Sequence, residues 1–229
     1  MRVPLIAALL LTLLVAGCGE DEEPQPSVAE IVDRSARNTA ALKGFHFALT
    51  VENGAPRAAG LNITFADGDI VVPDGLRAKV SGTLSGVPLE SELIAVGDQD
   101  FLRDPVTQKW RRLEAGANPA AFFDPAKGVL AIMKGAARLQ TAGSDEVGGA
   151  DSHRLSGEVP ATDLVSLLGG RPIRRGVPVE LWVGKQDLIL RRIRLTGAAL
   201  EAEPSNIVRT IEISNFDRVV KIEPPEVAP

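Results

Sequence analysis

The stretch FHFALTVE, residues 45–52, alternates apolar and polar side chains and decides the architecture of the chain. Its apolar members lie two residues apart and share one face of a β-strand: Phe45, Phe47, Leu49 and Val51. The stretch LNITFADGDIVV, residues 61–72, repeats the alternation up to Phe65, and Asp67-Gly68-Asp69 then predicts a tight turn. Successive strands with one apolar face predict an antiparallel sheet that buries one side.

Three other segments have helical patterns. SVAEIVDRSARNTAALKG, residues 27–44, begins with the capping box Ser27–Glu30 and ends at Gly44, a residue typical of helix C-termini. NPAAFFDPAKGVLAIMKGAARLQ, residues 118–140, predicts two or three short helices, and PATDLVSLLGG, residues 160–170, predicts another. The remaining segments return to strand patterning. We therefore expect an α+β domain: one antiparallel sheet of about nine or ten strands that curls, with helices on one face.

Composition limits what this domain does. The 229 residues carry a net charge of −5, so the basic surface that nucleic-acid binding requires is not expected. The single cysteine excludes an internal disulfide. A chain of this length can bury a sizeable core without one.

That cysteine, Cys18, follows an apolar segment at residues 5–16 that is too short to cross a bilayer permanently. The tetrapeptide Val15-Ala16-Gly17-Cys18 resembles the lipobox of bacterial lipoproteins. We therefore expect a signal peptide at residues 1–17, a lipidated Cys18 with a flexible tether at residues 18–26, and one domain at residues 27–229. The alternative is an ordinary signal peptide in which the cysteine has no role.

No catalytic constellation is evident in the sequence, and we expect neither enzyme activity nor a cofactor or metal. His46 and His153 are interpreted as solvent-facing strand residues. Calcium binding by the aspartates around Gly68 is less well supported than a turn, because the further acidic positions of a calcium loop are missing. A hydrolase would have to use carboxylates such as Asp98, Asp100 and Asp104, whose spacing selects no pair.

Taken in order, several segments resemble the LppX/LprAFG lipoproteins of mycobacteria and their relatives in other bacteria. Besides the lipobox and FHFALTV, the segments that carry the resemblance are FADGDIVVPDGLRAKV (65–80), FFDPAKGVLAIM (122–133), VELWVGKQDLILRRIRL (179–195) and IEISNFDRVVKIEPP (211–225). The resemblance implies a U-shaped half-barrel like that of the Lol-type lipoprotein carriers. Helices would cover its concave face and enclose a hydrophobic cavity for acylated lipids or lipoglycans.

On this resemblance we expect a non-catalytic lipid carrier whose cavity is lined by residues of both sheet and helices. The candidates are Phe47, Leu49, Phe65, Leu93, Phe123, Leu130, Ile132, Met133, Trp182 and Leu190. The helical segment 119–142, with Gly128 and Gly135 as hinges, is the candidate gate.

The expected location is the extracytoplasmic face of the cell membrane, reached through the lipid anchor. The expected state is a monomer, and an inner-membrane lipid exporter is a candidate partner. The alternative from a different class is an envelope lipoprotein with a filled core that binds a protein partner, because core and cavity-lining residues follow the same periodicity.

Overall fold

The structure of the chain, a computed structural model, describes residues 26–55, 57–58, 61–113, 128–168, 170–218 and 220–227. Within these residues three helices accompany twelve strands. The helices are α1 (Val28–Ala40), α2 (Val129–Gly135) and α3 (Ala161–Leu168). The first strands are β1 (Gly44–Glu52), β2 (Arg57–Ala58), β3 (Leu61–Val71), β4 (Gly75–Leu84), β5 (Val87–Val96), β6 (Gln99–Arg103) and β7 (Trp110–Arg112). The later strands are β8 (Ala137–Val147), β9 (Ala150–Pro160), β10 (Gly176–Gly184), β11 (Leu190–Thr196) and β12 (Val208–Ser214).

All the strands belong to one antiparallel sheet, in the order β7-β6-β5-β4-β3-β1-β12-β11-β10-β9-β8, with the short β2 paired to β3. The first strand, β1, lies beside the last strand, β12. Two meandering arms, β3 to β7 and β8 to β12, therefore meet at the centre of the sheet. The α+β class is confirmed, and the described residues contain more strands than the nine or ten expected.

The helix α2 comes directly before β8, one of the two edge strands of the sheet. The other edge strand is β7. The helix packs against α1, α3 and β9. None of the described helices is both long enough and apolar enough to traverse a bilayer.

The first helix begins where its capping box predicts. The Ser27 hydroxyl oxygen accepts a hydrogen bond from the Glu30 N–H at 3.3 Å. The helix ends at Ala40, and the expectation that it runs to Gly44 is wrong. Gly44 instead opens β1, where a Cβ atom would lie 2.6 Å from the carbonyl oxygen of Arg218. The close approach of the backbone at Arg218 explains why this residue is a glycine.

The turn expected at Asp67-Gly68-Asp69 is also wrong, because β3 continues through it to Val71. Gly68 lies opposite Phe47 of β1, and a Cβ atom on it would lie 2.6 Å from Cα of Ala78 and closer still to the carbonyl oxygen of Arg77. Glycine is present because β4 packs against β3 at this point, not because the chain reverses.

The helix expected over residues 119–142 is partly wrong. Residues 129–135 are helical, but Ala136 has an extended backbone (ψ 126°) and β8 begins at the next residue. The apolar residues at helical spacing stop at Met133, and the segment that follows pairs with β9 as the edge of the sheet. Residues 119–127 lie outside the described residues.

Candidate functional site

The interior lies between one face of the sheet and the three helices. On β1 the inward side chains are Phe45, Phe47, Leu49 and Val51, as the alternation predicts. The structure brings seven of the ten predicted lining residues to this interior, either in the buried core or packed against it: Phe47, Leu49, Leu93, Leu130, Ile132, Met133 and Leu190. Their contact with a ligand remains a prediction.

The helix α2 supplies three of these seven residues although it has fewer than two full turns. Val129, Leu130, Ile132 and Met133 are all buried, and Met133 is completely inaccessible to solvent. Gly128 at the N-cap offers no side-chain hydrogen bond, so local interactions stabilise this helix weakly. Burial of its four apolar side chains therefore contributes much of its stability.

A small cavity lies between α1, α2 and the sheet. Its volume is about 20 Å³, room for about one water molecule. The residues that line it are mostly apolar: Thr39, Ala40, Phe45, Val72, Val129, Leu130 and Ile213. With α2 in this position, the described residues leave no larger enclosed space at this point.

Hydrogen bonds hold the C-terminal part of α1 beside this cavity. The Leu190 N–H donates to the Thr39 hydroxyl at 3.0 Å, and the Asn38 side-chain amide donates to the carbonyl oxygen of Asp187 at 2.7 Å. The C-terminal end of α1 is therefore tied to the turn between β10 and β11. The N-cap of α2, by contrast, has no side-chain hydrogen bond.

Phe65 does not join the lining set. It pairs with Thr50 on the outward face and is 38% exposed. A bulge between Ile63 and Phe65 shifts the register of β3 against β4, so the two residues no longer share a face. Phe123, another predicted lining residue, lies outside the described residues.

Trp182 also lies on the outward face, between inward-facing Leu181 and Val183. Its ring is covered by two guanidinium groups, those of Arg154 at 5.5 Å and Arg192 at 5.3 Å from the ring centroid. Its indole N–H donates to the Asp145 carboxylate at 2.9 Å. Trp182 is buried by charged neighbours on the outside of the sheet, so the prediction that it lines the cavity is wrong.

Three of the carboxylates considered for hydrolysis or calcium binding have other partners, namely Asp104, Asp67 and Asp69. The Asp104 carboxylate accepts hydrogen bonds from the backbone N–H and hydroxyl of Thr107 and from the Val106 N–H, which lower its pKa. Asp67 and Asp69 each hydrogen-bond one ring nitrogen of His46, at 3.0 and 3.1 Å. His46 therefore clamps β1 to β3. In the part of the chain that the structure describes, no group of three or more His, Cys, Asp or Glu is placed to hold a metal ion.

The second histidine gives a pH-dependent prediction. Burial lowers the pKa of His153, and the positive charge of Lys185 lowers it further. In the unfolded chain the pKa of His153 is about 6.5, so below that pH the unfolded chain binds more protons at His153 than the folded chain does. The contribution of His153 to stability is therefore lost as the pH falls from about 6.5 through the lower pKa of the folded chain. We expect His153→Asn to lose less stability than the natural chain between about pH 7.5 and 5, measured by urea unfolding. The same pH dependence in both chains would contradict this.

A second concavity lies outside the apolar interior, at the N-terminal end of α3. This groove has a volume of about 300 Å³, and Arg138, Arg174 and Arg175 contribute to its lining. The groove cannot be recognised in the sequence, because Arg138 belongs to β8 and the other two arginines to the loop before β10, more than thirty residues later. Only the pairing of β8 with β9 and of β9 with β10 brings them together.

Comparison with known proteins decides the family. The model of the LppX_LprAFG lipoprotein family matches residues 27–222, which include every described helix and strand. The chain belongs to the LppX_LprAFG lipoprotein family. The family assignment made from the sequence segments is thereby confirmed.

Relatives within the family match along nearly the whole chain. The lipoarabinomannan carrier protein LprG of Mycobacterium tuberculosis is 24% identical over 99% of this chain and 96% of its own length. The lipoarabinomannan carrier protein LprG of Mycobacteroides abscessus is 21% identical over 98% of this chain and 97% of its own length.

Solved structures of the family have the same fold. LprF from Mycobacterium bovis superimposes with a TM-score of 0.66 at 17% identity, over 85% of this chain and 95% of LprF. The lipoprotein LppX of Mycobacterium tuberculosis superimposes with a TM-score of 0.62 at 18% identity, over 86% of this chain and 100% of LppX. At this identity the likeness establishes the fold, a large, curved, open antiparallel sheet with helices, and not the ligand.

Proposed function

We propose that this chain is a membrane-anchored carrier that binds the acyl chains of a lipid or lipoglycan between its sheet and its helices and moves it across the cell envelope. The helix α2 carries the proposal: it fills the interior with four apolar side chains yet has no side-chain cap. A short, uncapped helix that buries four apolar side chains is one that another apolar group can displace. The name of the LprG relatives, lipoarabinomannan carriers, supports a ligand of this class.

The free energy lost when α2 is exposed is similar in size to the free energy gained when an acyl chain is buried in its place. Exposing the four buried side chains of α2 costs about 1.5–3 kcal/mol each, or about 6–12 kcal/mol together. Each methylene of a bound acyl chain contributes about 0.8 kcal/mol, so roughly eight to fifteen methylenes offset this cost. One ordinary acyl chain is therefore enough to hold α2 displaced, and its departure lets α2 return. We assign α2 as the gate, with Gly128 and Gly135 at its ends as hinges.

The anchor follows from the lipobox. In this proposal residues 1–17 are a signal peptide, Cys18 carries the lipid, and residues 19–26 tether the domain to the extracytoplasmic face of the membrane. Several acyl chains on one cysteine hold a domain stably, whereas a single chain gives marginal attachment. The carrier acts as a monomer without catalysis or a cofactor, and it receives its lipid from an inner-membrane exporter.

Native mass spectrometry of residues 20–229 tests the proposal. All described helices and strands lie within this segment, and the absence of Cys18 removes anchor lipid from the spectrum. We expect adducts of acyl-lipid mass after expression in a lipid-rich bacterial host, and their loss under denaturing conditions. A bare mass that persists after incubation with a bacterial lipid extract would overturn the proposal.

The bare mass would favour the second candidate, an envelope lipoprotein with a filled core that binds a protein partner. The observation that favours this candidate is the interior itself, in which the cavity beside α2 measures only about 20 Å³. The two functions differ in one respect: a carrier needs α2 to move, whereas a filled core needs it to stay.

A further inference from the structure

The groove at the start of α3, named here the arginine groove, adjoins the apolar interior. Its lining includes Ala161 and Ile173, and Ala161 is 2% exposed and belongs to the buried core. Ile173 packs against that core. The lining also includes Ala137, two residues after the end of α2. The lining of the arginine groove thus begins two residues after the C-terminal hinge of the proposed gate.

The lining of the arginine groove has a net positive charge. Arg138 of β8 forms an ion pair with Glu158 of β9, the one carboxylate in the lining. Arg174 and Arg175 are exposed, and neither has an ion-pair partner among the described residues. The three arginines and Glu158 leave two net positive charges in a space of about 300 Å³.

Two further carboxylates lie near the arginine groove. Asp163, in the first turn of α3, is one residue beyond the lining, accepts a hydrogen bond from the Thr162 hydroxyl at 3.2 Å and offsets part of the positive charge. Glu201 lies 3.6 Å from Arg171, which is outside the lining as well. The helix dipole of α3 adds to the positive potential, because Pro160, Ala161 and Thr162 at its N-terminal end line the groove.

We propose that the arginine groove binds the phosphate of an anionic lipid, with Arg174 and Arg175 as the residues that select it. This inference rests on the proposed function, since it assigns the polar end of the ligand whose acyl chains occupy the interior. Guanidinium groups form paired hydrogen bonds with phosphate oxygens, and helix N-termini also attract phosphates. A volume of about 300 Å³ holds roughly ten water-sized groups, enough for a phosphate and part of its glycerol. A neutral sugar head group would not need two unpaired arginines.

The test compares two lipids that differ in the phosphate. Residues 20–229 are titrated with phosphatidylglycerol and with diacylglycerol of the same acyl chains, each in neutral detergent, and the dissociation constants are measured. We expect phosphatidylglycerol to bind about tenfold tighter or more, and the double variant Arg174→Ala/Arg175→Ala to lose that preference while it keeps its affinity for diacylglycerol. The double variant with lysines should retain part of the preference. Arg171→Ala, which removes a charge just outside the lining, is the matched control and should behave like the natural chain.

A titration with inorganic phosphate alone distinguishes a site for the phosphate of a lipid from a site for free phosphate. If the natural chain binds free phosphate as tightly as phosphatidylglycerol, and the alanine double variant loses both, the groove is a phosphate site that does not need the lipid. Equal binding of the two lipids by the natural chain, or a preference that the alanine double variant keeps, would overturn the inference and leave the carrier intact. If the natural chain bound neither lipid, the proposed carrier function would be overturned. Free phosphate would then test the arginine groove by itself: loss of phosphate binding in the alanine double variant would support the groove as a phosphate site, and persistence would contradict it.

Discussion

Replacing Gly68 with alanine is expected to lower the free energy of unfolding by about 2 kcal/mol or more, and replacing it with valine by about 3 kcal/mol or more. The added Cβ atom would lie 2.6 Å from Cα of Ala78, a distance that two strands tolerate only by moving apart. The displacement would break the contact of β3 with β4 near the centre of the sheet. Urea unfolding, followed by fluorescence of Trp110 and Trp182, measures the effect.

The control is Thr50→Val, which places the same branched side chain at an exposed position of β1. It should change stability by no more than about 0.5 kcal/mol. If Gly68→Ala unfolds at the same urea concentration as this control, the close packing of β3 and β4 at Gly68 is refuted. The alanine variant keeps the test informative even if the valine variant fails to fold.

Leu130→Trp is expected to reduce the lipid that copurifies with residues 20–229 severalfold. Leu130 faces the small cavity beside α2, and that cavity has no room for the larger indole. The tryptophan therefore occupies volume that an acyl chain would use once α2 moves. The ratio of lipid-bound to bare protein in native mass spectra measures the loss.

Val106→Trp serves as the control for this second variant. Val106 is 77% exposed, in the turn after β6, so the same side chain is added far from the interior and lipid content should not change. Circular dichroism checks that Leu130→Trp remains folded, since overpacking costs about 1–3 kcal/mol. A folded Leu130→Trp protein with full lipid content would exclude Leu130 from the lining.

The sequence predicts those features that depend on local chemistry. The start of α1 follows from the Ser27 hydroxyl and the Glu30 backbone, and both groups lie within one turn. The inward face of β1 follows from strict alternation, because its outward positions carry no large apolar side chain. Glycines also mark the turns at Gly97-Asp98 and at Gly148-Gly149, and all three of Gly97, Gly148 and Gly149 have positive φ.

The errors arise where a distant strand decides the environment. Phe65 continues the apolar alternation of Ile63, and only the pairing of β3 with β4 reveals the bulge that turns it outward. Trp182 lies in an almost continuous apolar run, and its burial depends on arginines from β9 and β11. Gly68 has the composition of a turn, yet the close approach of β4 is what requires it. Strand patterns therefore predict the sheet better than they predict which residues face its interior.

The pairing of β1 with β12 has a consequence for how the protein is made. His46 lies opposite Ser214 and Glu52 opposite Val208, so the central pairing of the sheet joins residues that are more than 150 positions apart in the chain. Until β12 has emerged, the sheet exists as two unconnected arms with open edges at β1 and β11. Contacts of such long range form slowly and late. A chain that lacks β12 therefore cannot join its two arms, and the final strand is what closes the sheet.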